Sequence, residues 1–332
     1  MKLLIIGGGA VSEAFHIPAA VKLLGIENVY VAEPSSNRQE YIKSKYNLNH
    51  IYSDYNEVLN IVDAVVIATP PHLHAELLMA CFDLDKPVMC EKPVTLSSKE
   101  GIFALQHKTK NISAGMCHTY RLFPNRIFVR DLIKSGYFGD IVHININEGS
   151  PADWPTITGY CYRKELVSGG VFMDAGIHSL DFILWCLGEV KSFQYIDDAF
   201  GGLESNASMQ LQFENQSTAD FRISRTCELS NTIEISGNGK NVILNIFEMN
   251  KIIENGKERE LAADERENKP LLDWSNVGEY QLSKFFESIK NDVPHFCPIE
   301  EGIKVIETIE YCYKQKKGRP LPNKAGIPGL RF

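Results

Sequence analysis

The sequence predicts an α/β protein in two parts. The N-terminal part is a doubly wound parallel sheet. The C-terminal part is an α+β domain on a large open, mainly antiparallel sheet. Three observations carry this. The chain has 332 residues, more than one hydrophobic core usually supports. Its first third alternates unbroken apolar runs with helical patterns, as strands buried on both faces of a parallel sheet do. Its second half alternates apolar and polar residues one by one, which marks strands with one wet face. The expected domains are 1–118 and 119–332, with the last helical pattern, about 300–316, a candidate to pack back on the first.

The elements follow in order. LLII (Leu3 to Ile6) is a strand, followed by a helical pattern from about Ala10 to Leu24. VYVA (Val29 to Ala32) is the next strand. AVVIA (Ala64 to Ala68) leads through TPPHLH into a helix ending near Cys81, and PVMC (Pro87 to Cys90) leads through EKP into a helix around Lys99 to His107. Beyond residue 118, IVHININ (Ile141 to Asn147) alternates. In NASMQLQF, Ala207, Met209, Leu211 and Phe213 share one face, and Ser208, Gln210 and Gln212 the other. ADFRIS and NVILNIF continue the pattern. The polar face of such a sheet is either solvated or a wet subunit interface.

Composition narrows the function classes. The formal net charge is -8, with 44% hydrophobic and 23% charged residues. The basic run KQKKGR (Lys314 to Arg319) suits the negative end of a helix dipole. A chain without a basic face does not read as a nucleic-acid binder. The eight cysteines are scattered, with no CxxC pair and no zinc-like cluster, so no metal site is expected and reduced thiols in the cytoplasm fit best. The apolar start MKLLII is too short for a leader's core, and no uninterrupted run of about 18 apolar residues suggests a membrane span.

IIGGGAVSEAF places Gly7, Gly9 and Ser12 on the G-x-G-x-x-G spacing, between a strand and a helix. Glycines there allow a tight turn and close approach of a pyrophosphate to backbone N–H groups at a helix N-terminus. Gly7, Gly9, Ala10 and Val11 are the candidate contacts, and Ser12 is small enough for the third position. Glu33 ends the second strand, where a carboxylate accepts from ribose hydroxyls and repels a 2′-phosphate. NAD is therefore expected over NADP. Arg38, a turn into the next helix, reads as solvated, although an arginine there can serve a 2′-phosphate.

CEKPVT sets Glu91, Lys92 and Pro93 at the C-terminal end of a strand, the side on which open α/β sheets bind ligands. Lys92–Pro93 is a candidate cis bond. GGVFMDAGIHSLDFILW (Gly169 to Trp185) reads as an apolar helix carrying Asp174, His178 and Asp181. The spacings of four and three put them on one face. A carboxylate-held histidine suits acid/base work near neutral pH, and a satisfied core histidine has the same pattern.

The ordered set GGGAVS, ATPPHLH, CEKPVT, YRLFP, YRKELVSGGVFMDAGIHSLD and KKGRPL resembles the Gfo/Idh/MocA family, over nearly the whole chain. The resemblance implies a Rossmann domain, an open-sheet domain, and hydride transfer between a nicotinamide and a secondary alcohol or ketone of a sugar, nucleotide-sugar or cyclitol. It implies that Lys92 binds the reacting oxygen, that His178 exchanges its proton and that Asp174 partners His178. Asp181 would stand behind them or touch substrate. Thr69, Pro70, His74 and Glu91 would line the cofactor cleft. Tyr162 and Arg163 match a Trp-Arg pair near the nicotinamide, with tyrosine in place of tryptophan. Tyr120 and Arg121 fall where substrate contacts are common. The stretch 148–166 reads as a loop over the site, in which Asp153, Trp154 and Tyr160 read a sugar or Trp154 merely anchors the loop. A homodimer or homotetramer is expected. Two other functions share the motifs: a glycosidase using transient NAD redox, and a non-catalytic NAD-binding regulator.

Overall fold

β1 (Leu3–Ile6), β2 (Val29–Ala32), β3 (His50–Tyr52), β4 (Ala64–Ile67), β5 (Val88–Cys90) and β6 (Ala114–Met116) form one parallel sheet in the order β3-β2-β1-β4-β5-β6. Every residue of β1, β2, β4 and β5 is buried, which is why these strands are apolar without alternation. β3 and β6 escape the apolar-run criterion because HIY and AGM are three residues long and interrupted by histidine or glycine. Leu3 pairs with both Val29 and Ala64, so β1 is where the strand order reverses, the switch point at which such sheets bind ligands.

The computed structural model describes residues 1–151, 159–261 and 272–315. The chain divides into two units, one of residues 1–119, 155–167 and 273–306 and the other of 120–154, 168–272 and 307–332. In unit 1 the helix after β1 opens with a wide π turn, Ser12–His16, before α1 (Ile17–Leu24). α2 (Ser36–Tyr46), α3 (His74–Asp83) and α4 (Ser98–Leu105) follow. Ile5, Ile17, Ala20, Val31 and Ile42 make the core.

Unit 2 holds β7 (His143–Gly149), β8 (Val190–Asp197), β9 (Asn206–Phe213), β10 (Thr218–Ser224), β11 (Thr232–Gly237), β12 (Lys240–Asn245), β13 (Lys251–Glu254) and β14 (Lys257–Glu260). Their order is β14-β13-β12-β11-β7-β10-β9-β8. The sheet is mixed: β7 and β10 run parallel at its centre, and the other pairs are antiparallel. Ala207, Met209, Leu211 and Phe213 are buried, as the alternation in NASMQLQF requires. α5 (Pro124–Lys134) precedes the sheet in the chain, and a second π turn, Phe172–Gly176, opens α6 (Ile177–Leu187). The end of this π turn lies on β10: a Cβ on Gly176 would stand 3.2 Å from the Ile223 side chain.

Late in the chain, α7 (Val277–Asn291) returns Leu282 and Phe285 to the unit 1 core, and α8 (Ile299–Gln315) follows. All eight cysteines are free. No helix among the described residues is long and apolar enough to cross a membrane.

Candidate active site

The glycine-rich turn after β1 is shaped by contacts that differ from glycine to glycine. Gly7 has φ +102°, and a Cβ there would meet the Ala68 carbonyl oxygen at 2.6 Å. A side chain is excluded on both counts. A Cβ on Gly9 would meet nothing within 4 Å, so the protein itself does not require glycine there. Ser12 is fully buried and donates its hydroxyl to the Gly7 carbonyl at 2.6 Å. It therefore ties the turn together, a role beyond being small. Glu33, just past β2, accepts from the Gly8 N–H at 2.8 Å and the Ser35 N–H at 2.9 Å. Thr69, two residues past β4, has a buried hydroxyl oxygen without a hydrogen-bond partner. Buried polar atoms are rarely left so. An open glycine at a helix start, where first-turn N–H groups lack intrahelical acceptors, a carboxylate and an orphan hydroxyl suit a dinucleotide, and Gly9, Ala10 and Val11 are the residues that could hold its pyrophosphate and Glu33 its ribose.

The loop after β5 is held by two buried histidines. His16, on the π turn, bonds through Nε2 to Glu91 Oε1 at 2.8 Å. Glu91 Oε2 accepts from the Lys92 N–H at 3.2 Å. His74, at the start of α3, is completely buried, with Nδ1 2.9 Å from the Pro93 carbonyl oxygen and Nε2 2.8 Å from that of Thr69. Burial lowers its pKa despite these two acceptors. The Lys92–Pro93 bond between them is cis, and Lys92 is half-buried. His74, expected to line the cofactor cleft, has both ring nitrogens committed to backbone. It splices the loops after β4 and β5. His16 was not legible in the sequence, where it is one more residue on an amphipathic helix.

In unit 2 the glycines of SGG make room for an anchor. A Cβ on Gly169 would stand 2.3 Å from the Tyr313 hydroxyl, and one on Gly170 2.1 Å from the Glu204 carbonyl oxygen. The Glu204 carboxylate accepts from the N–H groups of Gly170 and Phe172, at 2.8 and 3.1 Å, and from Tyr313 at 2.6 Å. It caps the segment that carries Asp174 and His178, using the otherwise unpaired donors of a helix start.

The three ionisable groups on this segment separate. Asp174 and His178 are half-buried, and Asp181 is fully buried. They therefore do not form one stripe toward solvent. Asp174 pairs with Arg225 at 2.6 Å, both side chains partly exposed. Asp181 takes a bidentate bond from Arg121, Nε at 2.8 Å and Nη2 at 2.6 Å. His178 stacks on the Tyr120 ring, with centroids 5.1 Å apart. Tyr120 and Arg121, expected as substrate contacts, are buried at 7% and 5% exposure. Arg121 pairs with Asp181 and lies over the Trp185 ring, and the Tyr120 ring packs on His178. Arg225 is the residue the sequence reading missed. It lies 51 positions from Asp174, and only the β10 neighbourhood brings them together.

Pro70 is half-buried beside Thr69. Tyr160 is half-buried and Tyr162 and Arg163 are exposed, on a short helical turn of unit 1. Asp153 and Trp154 lie outside the described residues.

A glycine-turn sheet followed by an open-sheet unit defines a two-part dinucleotide-binding oxidoreductase fold. Residues 1–114 match the family described as "Oxidoreductase family, NAD-binding Rossmann fold", and residues 127–242 match the "GFO/IDH/MocA C-terminal domain". The chain belongs to the Gfo/Idh/MocA oxidoreductase family. It is 26% identical to the inositol 2-dehydrogenase of Rhizobium meliloti, over 91% of this chain and 89% of that protein. It is 25% identical to the scyllo-inositol 2-dehydrogenase (NADP(+)) of Bacillus subtilis, over 67% of this chain and 58% of that protein. With several curated relatives the match thus spans under two thirds of their length. The solved levoglucosan dehydrogenase in complex with NADH and L-sorbose superposes with a TM-score of 0.81, at 18% identity, covering 95% of this chain and 97% of that one. At that identity the likeness is one of fold.

Proposed function

We propose that this protein is an NAD-dependent dehydrogenase or reductase acting on a secondary alcohol or ketone of a sugar, nucleotide-sugar or cyclitol. The observation that carries the reading is the cradle in unit 1: Gly9 open to solvent, the partnerless Thr69 hydroxyl and Glu33 at the end of β2. The relatives supply the substrate class, since they are named for inositols and levoglucosan. The acid at Glu33 and the engagement of Arg38 favour NAD.

The nicotinamide, when bound, supplies hydride chemistry. The chain's part is to manage the hydroxyl proton. Oxidation of a carbinol leaves alkoxide character on its oxygen, which a lysine cation stabilises; Lys92, on a loop spliced by His74 and His16, has this role. His178 accepts the proton in oxidation and returns it in reduction. Its ring is oriented by Tyr120 and the capped start of α6. Asp174, paired with Arg225, supports the imidazolium. Cytoplasmic residence and assembly as a homodimer or homotetramer belong to the same reading.

A panel of sugars and cyclitols, with NAD and NADP and cofactor fluorescence as readout, tests it. Lys92→Ala and His178→Ala are expected to abolish turnover and leave NAD binding within a few-fold of wild type. Turnover at the wild-type rate in both variants overturns the assignment. Release of a sugar without accumulation of NADH identifies the redox glycosidase instead, and NAD binding without turnover on any substrate the regulator.

A further inference from the structure

Around the glycine turn the structure holds two cations, Arg38 and Lys45, and Arg38, expected to be solvated, is half-buried and bonded on two sides. Arg38, on α2, donates through Nε to the Gly8 carbonyl at 2.5 Å. Its other arm, Nη2, ends on the Glu13 carboxylate. Lys45 reaches the second oxygen of Glu13 at 2.6 Å, and the Tyr41 hydroxyl donates to that oxygen at 2.7 Å. Arg38 also lies over the Tyr41 ring, 4.6 Å from its centroid. Gly8 is thus gripped on both sides, its N–H by Glu33 and its carbonyl by Arg38.

An acid beside the ribose position disfavours a 2′-phosphate, whereas an arginine beside it recruits one. This chain carries both, with Glu33 and Arg38 bonded to the same residue. A planar guanidinium is the preferred partner of a phosphate, and Arg38 would compete with Glu33 for the cofactor's outcome if its fork were open. Its Nε–Nη2 edge is occupied, by the Gly8 carbonyl and by Glu13.

We infer that Glu13 is a specificity-determining residue: by holding Arg38 and Lys45 it denies a 2′-phosphate its cations and so reinforces Glu33 in selecting NAD over NADP. This rests on the dinucleotide reading of the preceding subsection and adds to it a residue outside the glycine fingerprint. Glu13 follows the third position of that fingerprint and sits in the first helical turn, where an acid is also compatible with the helix dipole.

The test is binding, measured by isothermal titration calorimetry with NAD+ and NADP+ on the whole chain. Glu13→Gln is expected to tighten NADP+ about tenfold, the scale of one freed guanidinium–phosphate contact, with NAD+ changed less than threefold. Adding Arg38→Ala to Glu13→Gln is expected to cancel most of the gain. Glu33→Gln alone is expected to gain less NADP+ affinity than Glu13→Gln with Glu33→Gln. Circular dichroism melts identify any variant that fails to fold, and Glu13→Ala then replaces Glu13→Gln. If the double Glu13/Glu33 variant binds NADP+ no better than Glu33→Gln, or if the Glu13→Gln gain survives loss of Arg38, the inference is overturned. A wild-type chain that binds neither dinucleotide overturns the NAD reading itself, which is a different result.

Discussion

Replacing Arg121 by Met removes one half of an ion pair whose other half, Asp181, has no exposed surface. The pair is bidentate, with bonds of 2.8 and 2.6 Å, so both Asp181 oxygens lose a donor at once. Breaking a buried pair on one side costs about 3–5 kcal/mol, because the remaining charge keeps its desolvation penalty without compensation. For a folding unit of this size, about 3 °C of Tm accompanies each kcal/mol, so unit 2 is expected to melt about 9–15 °C lower. Trp185 is the local reporter, with Arg121 5.3 Å and Arg130 4.0 Å from its ring. The assay is thermal and urea unfolding followed by tryptophan fluorescence, for Arg121→Met, Asp181→Leu and the double variant. The double variant replaces two charges by apolar side chains of similar bulk and is expected to recover most of the loss. A single variant that costs under about 1 kcal/mol, the value of an exposed pair, would refute the argument. So would a double variant as unstable as the sum of the singles.

Two further predictions follow from other elements. Gly7→Ala and Gly9→Ala are expected to part company: the first lowers Tm, because its Cβ would meet the Ala68 carbonyl oxygen at 2.6 Å on a φ of +102°, while the second melts like wild type and loses NAD affinity in a titration. Equal effects of the two on both Tm and affinity would contradict the cradle. The Glu13 carboxyl is held down at about 2, first by Lys45 and then by Arg38, so its contribution to stability is complete above the usual carboxylate range and is lost as pH falls toward 2. The Tm difference between wild type and Glu13→Gln is therefore expected to be largest near pH 6 and to shrink through pH 4 to 2; a constant difference would show that the charge cluster is not its source.

Much of this molecule is legible in order along the chain. Four of the six strands of the first sheet are runs such as LLII and AVVI, whose continuous apolarity has one physical reading, burial on both faces. NASMQLQF declares its buried face by alternation. The glycine spacing after β1 and the acid at Glu33 point to a dinucleotide turn, because the positive φ of Gly7 and an acid just past a strand are local properties, whereas the Ala68 carbonyl that also excludes a side chain at Gly7 is set by packing. β3 and β6 were invisible because three residues carry too little pattern.

The partners of the candidate site were decided by tertiary structure alone. Helical spacing placed Asp174, His178 and Asp181 on one face, but it could not tell which of them is exposed. Packing buries Asp181 against Arg121 and sends Asp174 to Arg225 on the β10 side of the unit. The same holds for His16 and His74. As letters they are polar interruptions in helices; in the fold one reaches Glu91 and the other spans two backbone carbonyls. Hydrogen bonding between residues far apart in sequence depends on where strands end and how helices rest on them, and period and composition carry no information about that. By itself, the chain determined which residue types stand at which strand ends. The fold decided which of those residues are spent holding the others in place.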